Sequence, residues 1–247
     1  MSIINALPKI LKGIEKEYNK KTKKEFEVSE EVNFEKREDA ESLKNKKTLC
    51  LGDNEAFLKT LIRQNDMAGK FNMIYIDPPF FSKANYDAVI KLESLEVARM
   101  PLIKHFAYED TWEQGIEEYL VMLGVRLKLM KDLIADDGTI WVHLDWHVVH
   151  YVKILLDEIF GEKNFVNEII WNYKSGGTSK KHFSRKHDTI LVYSKTTKYF
   201  FNPLKEKSYN REFKPYRFKG VKEFKDEQGW YTMVNMKDVW QLNMVGR

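Results

Sequence analysis

From residue 47 onward, short apolar runs bounded by turn residues alternate with longer stretches in which apolar residues recur every three or four positions. KTLCLGD (47–53) is a short apolar run stopped by Gly52-Asp53, the pattern of a strand and its exit loop. Ala56, Phe57, Leu58, Leu61 and Ile62 have helical spacing and predict a helix over 55–63. FNMIYID (71–77) is nearly continuously apolar, as expected of a strand buried on both faces. It stops at Pro78-Pro79, which offer no N–H to extend a ladder. Ile116, Tyr119, Leu120, Leu123, Leu127, Met130 and Ile134 predict a helix over 113–135, ended by Asp136-Asp137-Gly138. TIWVHLD (139–145) predicts the next buried strand and HVVHYVKILLDEIFG (147–161) the next amphipathic helix. FVNEIIWNYK (165–174) and HDTILVYSK (187–195) predict two more strands, separated by the loop SGGTSKKHFSRK. Strands alternating with helices predict an α/β domain with a largely parallel sheet, whose ligands sit beyond the carboxyl ends of the strands. Residues 77–80, Gly52-Asp53-Asn54 and Asp145 lie at such ends.

Residues 1–46 follow a different rule. They mix Lys and Glu densely and show no core stripe after Tyr18, which predicts a charged N-terminal extension, helical and exposed or partly disordered. The rest has an ordinary globular composition, and no apolar run approaches a membrane span. A single cysteine, Cys50, excludes an internal disulfide and a multi-cysteine zinc site, and makes the cytoplasm the simplest compartment. The net charge of +4 matters less than its placement. From Lys174 to Lys225 there are 15 Lys/Arg against 4 Asp/Glu, interleaved with aromatics such as Phe183, Tyr199, Phe200 and Tyr216. That pattern suits a phosphate backbone with bases nearby; a solvated basic surface over a small core is the alternative.

Asp77-Pro78-Pro79-Phe80 carries the chemistry. An exocyclic amine conjugated to a base is a poor nucleophile. Attack on a methyl group drives its nitrogen toward a tetrahedral, positive state, which hydrogen-bond acceptors on the amine hydrogens favour. Asp77 supplies a carboxylate for one hydrogen and Pro78 a carbonyl for the other. Proline rigidity holds that carbonyl, and Phe80 stacks on the base. Asp77 need not be a strong base.

This motif resembles the (Asp/Asn/Ser)-Pro-Pro-(Tyr/Phe/Trp) signature of amino-group DNA methyltransferases. The likeness extends through CLGDNEAFLKTL, IYIDPPFFSKANY, the long block from YLVML to NEIIW, and KHDTILVYSK. With the catalytic motif near the front, the order resembles the β group, which includes type III modification subunits. The resemblance implies a Rossmann-like S-adenosylmethionine-dependent α/β fold over 47–200, with residues 201–247 beginning a target-recognition region. It implies methyl transfer to adenine N6 rather than cytosine N4, since Asp leads the motif. It also implies DNA as partner and a restriction-modification setting, with a restriction subunit as a further partner.

Other positions keep two readings. Asp53 and Asn54 would lie near the donor's adenine ring, or cap the following helix. Lys83 and Tyr86 would touch phosphate or the extruded base, or sit in a solvated loop. Tyr108, Asp110 and Trp112 would line the pocket, or Trp112 would pack in the core. Asp145 is placed near the substrate pocket and the donor. Lys174, Lys180, Lys181, Arg185 and Lys186 are the candidate phosphate contacts. His143, Asp145, His147 and His150 resemble a metal set only in spacing, and sulfonium methyl transfer needs no metal.

One part of the pattern is missing. No Gly-x-Gly occurs anywhere, so the donor's glycine-rich loop is absent. In the related strand order, 3-2-1-4-5-7-6, residues 47–52 correspond to strand 3 and 72–77 to strand 4, while strands 1 and 2 have no counterpart. The expectation is an incomplete sheet: a truncated chain or half of a split enzyme, completed by a C-terminal fragment and weakly active alone. The rival expectations are a non-catalytic DNA-binding partner, an inactive remnant, or an amino methyltransferase directed at RNA or at a protein glutamine.

Overall fold

The computed structural model describes residues 3–23, 49–63, 66–83, 85–90, 103–110, 112, 115–174, 179–217 and 219–242. Helix α1 (Ile3–Lys23) is followed by α2 (Asn54–Arg63) and strand β1 (Phe71–Ile76). A hairpin of β2 (Asn85–Ile90) and β3 (Ile103–Glu109) precedes α3 (Ile116–Leu133), β4 (Ile134–Leu144) and α4 (Val149–Phe160). Then come β5 (Phe165–Asn172), β6 (His187–Ser194), β7 (Lys205–Tyr209), β8 (Glu223–Lys225), β9 (Trp230–Asn235) and β10 (Val239–Gln241).

The main sheet has the order β1-β4-β6-β5-β10. Its first four strands reproduce the 4-5-7-6 portion of the methyltransferase order. β1 runs parallel to β4 and β10 parallel to β5, while β6 is antiparallel to both neighbours. One reversed strand thus interrupts an otherwise co-directional sheet. The loop between β5 and β6 accordingly emerges at the same end as Asp77 and Asp145. β7, β9 and β8 form a separate three-stranded antiparallel sheet. No helix among the described residues is long and apolar enough to cross a membrane.

The core lies between the sheet and the layer of α1, α3 and α4. Leu120, Leu123, Leu127 and Leu133 of α3 and Val152, Leu155 and Leu156 of α4 bury against Ile140, Val142 and Leu144 of β4. The predicted helices and strands over this stretch form within a few residues of their expected bounds.

Four expectations change. First, residues 3–20 are not an exposed extension. Ala6, Ile10 and Ile14 are buried in the main core, and Ile3, Leu11 and Tyr18 pack around them. The apolar stripe is genuine up to Tyr18; the remaining charged stretch, 24–48, lies outside the described residues. Second, the strand expected at 47–53 does not form over 49–53. Leu49 is 96% exposed and Leu51 fully so. An apolar run becomes a strand only with a ladder partner, and β1, its expected neighbourhood, pairs only with β4 among the described residues. Third, Asp136-Asp137-Gly138 belongs to β4 rather than to a helix stop. α3 ends earlier because Ile134 pairs with Phe71, across a bulge between Phe71 and Met73. Fourth, the β2–β3 hairpin was not foreseen; its alternation is weak and interrupted.

Close approach of α1 to α3 depends on Gly124. A Cβ there would stand 2.3 Å from the Ile14 Cδ1 atom. Polar contacts at the rim add to this: Lys9 to Glu117 at 2.8 Å, and the Tyr18 hydroxyl donating to Asp132 at 2.6 Å. Gly124→Val should therefore push α1 off α3. The expected loss is about 1–3 kcal/mol, read as a fall in the thermal midpoint of roughly 2–4 °C per kcal/mol. An unchanged midpoint would refute the packing argument.

Candidate active site

The register Ile76↔Val142 between β1 and β4 sets the site. It brings the residue after β1, Asp77, beside the next residue of β4, His143. The Asp77 Oδ1 atom lies 3.1 Å from His143 Nδ1, and the Asp77 side chain remains 61% exposed. β6 flanks β4 on its other side and contributes Asp188, whose Oδ2 is 3.4 Å from His143 Nε2. That contact has charge-pairing distance but lacks hydrogen-bond alignment, which leaves Nε2 buried without a hydrogen-bond partner. Asp188 Oδ1 accepts the Tyr173 hydroxyl at 3.1 Å. Burial and the charge of Asp188 push the Tyr173 phenol up to about 12, so it stays a donor.

His143 is 7% exposed. Phe80 meets it edge-on with ring centres 5.4 Å apart, and Trp171 lies at 5.6 Å. Burial pulls the His143 pKa down, but the nearby carboxylates of Asp188 and Asp77 outweigh it and raise it from 6.5 to about 9. At neutral pH the ring is a cation between two carboxylates.

The Pro-Pro-Phe loop is clamped from beneath. The Tyr119 hydroxyl, from fully buried Tyr119 of α3, donates to the Pro79 carbonyl at 2.7 Å. Burial, then the charges of Asp110 and Asp145, push that phenol well above its ordinary range, so it too remains a donor. No described residue donates to the Pro78 carbonyl. The chain then turns through left-handed backbone at Phe81 (φ 58°) and Lys83 (φ 59°), which is unfavourable for residues with a Cβ. Asp110 holds this turn. Its carboxylate, 1% exposed, accepts from Phe81 N–H at 3.1 Å, Ser82 N–H at 2.6 Å, the Ser82 hydroxyl at 2.8 Å and the Trp112 indole at 3.2 Å. Trp112 also packs edge-on against Tyr119.

The residues expected for the methyl donor each hold a protein partner. Asp53 Oδ1 accepts the Ala56 N–H at 2.8 Å, capping α2, and Asp53 lies 3.7 Å from Arg126. Asn54 accepts from Arg126 Nε at 2.7 Å. Asp145 accepts the His147 N–H and lies 2.6 Å from its Nδ1. Each is engaged by a neighbouring group. His143 and His147 face different carboxylates and His150 is exposed, so the four residues with metal-like spacing point to separate partners.

Of the expected DNA contacts, Lys83, Lys174, Lys180, Lys181 and Arg185 are exposed, and Lys186 is half-buried. Lys83 lies over the Phe81 ring. Tyr86 is on β2, and its side chain lies outside the described residues. Arg185 stacks on the Trp146 ring at 3.7 Å, and Trp146 stacks in turn on His147. This stack, with the Lys186 carbonyl accepting from Tyr173 N–H and Asn172 Nδ2, ties the basic loop to the strand ends.

Sequence reasoning did not find Asp188, and it considered His143 only as a metal ligand. The signal was present: His143 interrupts the apolar run Ile140–Leu144, and Asp188 directly precedes the largely apolar run of β6. Asp110 was seen as pocket lining, not as the loop's anchor, because its partners are backbone groups nearly 30 positions away.

Removing Asp110 tests the clamp. Asp110→Ala removes the acceptor of four part-buried donors, with an expected loss of about 2–4 kcal/mol. Hydrogen exchange at Phe81 and Ser82 should accelerate with it; unchanged protection there would show that the turn needs no such anchor.

The profile of the N6/N4 DNA methylase family, described as "DNA methylase", matches residues 71–247. The type II methyltransferase M.EcaI of Enterobacter cloacae is 33% identical over 156 residues, covering 62% of this chain and 30% of that protein. The probable type III restriction-modification enzyme HindVI Mod subunit of Haemophilus influenzae is 32% identical over 190 residues, covering 74% and 21%. The type III EcoP15I Mod subunit of Escherichia coli is 28% identical over 167 residues, covering 63% and 25%. The chain thus spans 21% to 30% of the length of these relatives. Among solved structures, the cytosine-N4-specific PvuII DNA methyltransferase aligns with TM-score 0.42 and 12% identity over 78% of this chain and 56% of that one. That likeness is too slight to carry an argument.

Proposed function

The chain belongs to the DNA methylase family, and on that premise we propose that it supplies the target-base half of a site-specific DNA methyltransferase acting on adenine N6 in duplex DNA. Residues 47–200 serve as the catalytic part and 201–247 open the target-recognition part. DNA is the partner, in a restriction-modification setting with a restriction subunit, and the cytoplasm is the compartment. The observation that carries the reading is the strand tip at 77–80: an exposed carboxylate next to a rigid prolyl carbonyl that no described donor occupies.

The target base rotates out of the duplex to reach this tip. Asp77 accepts one hydrogen of its NH₂ and the Pro78 carbonyl the other, which favours the tetrahedral nitrogen of the transition state over the planar ground state. Phe80, braced from below through Pro79 and Tyr119, offers its ring to the base. S-adenosylmethionine supplies the methyl group. The basic residues Lys174, Lys180, Lys181, Arg185 and Lys186 meet the phosphates.

A second reading has its own support. Because Asp53, Asn54 and Asp145 are locally engaged, the chain also fits a DNA-binding partner of a complete methyltransferase. Calorimetry with S-adenosylmethionine separates the two: saturable binding by the 247-residue chain supports the enzyme, and its absence supports the partner role.

Asp77→Ala should lower methyl transfer by about 1,000-fold or more, the scale of losing a principal transition-state acceptor. DNA affinity should stay within about threefold, since the phosphate contacts are untouched. Transfer at the normal rate would refute the assigned role. Digestion of the product to nucleosides should give N6-methyladenine; N4-methylcytosine would overturn the base assignment. Separately, Lys180→Ala and Lys181→Ala should each shallow the log–log salt dependence of DNA binding by about 0.9. An unaltered slope would place these lysines away from the phosphates.

A further inference from the structure

His143 is a buried ionisable side chain at the strand tips to which the amine-holding scheme assigns no task. It sits on β4, between β1 and β6, with Asp77 Oδ1 3.1 Å from Nδ1 and Asp188 Oδ2 3.4 Å from Nε2. Phe80, Trp171 and Tyr75 surround the ring. Both ring nitrogens therefore face carboxylate oxygens. A neutral imidazole would present a lone pair to one of them, which is repulsive; an imidazolium places positive charge beside both, at ion-pair distance without hydrogen-bond alignment on the Asp188 side.

We propose that His143 is a positioning residue for methyl transfer: an imidazolium strung between Asp77 and Asp188 that fixes which oxygen of Asp77 faces the substrate amine. This rests on the reading of Asp77 as the amine's acceptor. With Oδ1 turned to the imidazole, Oδ2 is the oxygen left for the base. Without that tether, a carboxylate on an exposed strand tip rotates freely, and orientation is most of what it contributes. Asp188, oriented in turn by the Tyr173 hydroxyl, completes the chain of contacts.

Proton uptake follows from the same geometry. The ionisable groups facing the ring are Tyr75 on β1, Asp77 just after it and Asp188 from β6, the last bonded to Tyr173 beyond β5, while Asp145, just after β4, is paired to His147. The His143 pKa lies above its unfolded value of 6.5, so the bridge is complete below 6.5 and is lost as pH rises through about 9.

The test titrates the imidazoles of the 247-residue chain by nuclear magnetic resonance, His143 being assigned through His143→Gln. The expected midpoint is near 9, falling by about one unit or more in both Asp77→Asn and Asp188→Asn. A wild-type midpoint between about 6 and 7, or one indifferent to Asp77→Asn, overturns the bridge. Kinetics add a second arm. His143→Gln should lower kcat by roughly 10- to 100-fold with KM for DNA within about threefold, and should abolish the decline in rate above about pH 9. Wild-type kcat with that decline intact overturns the positioning role. If His143→Gln does not fold, the two carboxylate variants and the titration decide. If the wild-type chain transfers no methyl group, the functional reading falls, while the titration still answers for the bridge.

Discussion

Parallel pairing of β1 with β4 is the constraint from which the site follows. Four residues of a short strand, in register from Met73↔Thr139 to Ile76↔Val142, determine that Asp77 emerges next to His143 rather than next to an apolar neighbour. A slip of one residue would turn His143 to the opposite face and remove the cation from beside the carboxylate. The register is itself held by burial. Ile140, Val142 and Leu144 alternate inward along β4 and are fully buried, so any slip would expose them. The chemistry at the tip is therefore fixed by the core beneath it.

The loop that follows is held by a different kind of force. Prolines stiffen residues 78 and 79, but the two left-handed residues after them are intrinsically unfavourable, each by roughly 1 kcal/mol or more. A buried carboxylate with four donors offsets this. Asp110 is far away in the chain and reaches the loop through the β2–β3 hairpin. Tyr119 arrives from α3. Two separate segments thus converge on one short turn, as expected where a reactive group must be held to within a fraction of an ångström.

Much of this was legible in the sequence. The period of apolar residues located α2, β1, α3, α4, β5 and β6, and the Asp-Pro-Pro-Phe tetrapeptide after an apolar strand marked the strand tip. What escaped was whatever depended on partners. Leu49 and Leu51 read as a strand, yet strand identity belongs to a ladder and not to a heptapeptide. Ile10 and Ile14 read as part of a charged appendage because Lys and Glu dominate the composition around them, although their spacing is that of a buried face. His143 and Asp188 lie 45 positions apart and become partners only when β6 inserts antiparallel beside β4. No local pattern encodes that adjacency.

The seat of α1 on α3 bears on the order of events as the chain is made. Ile10 and Ile14 lie at the N-terminus, while the Gly124 notch that receives Ile14 is synthesised more than a hundred residues later. During that interval the amphipathic helix has no home for its oily side, and closing so long a loop is entropically slow. The helix leaves the ribosome well before the surface on which it docks. The nascent chain thus carries a transient sticky surface, of the sort that holdase chaperones shield.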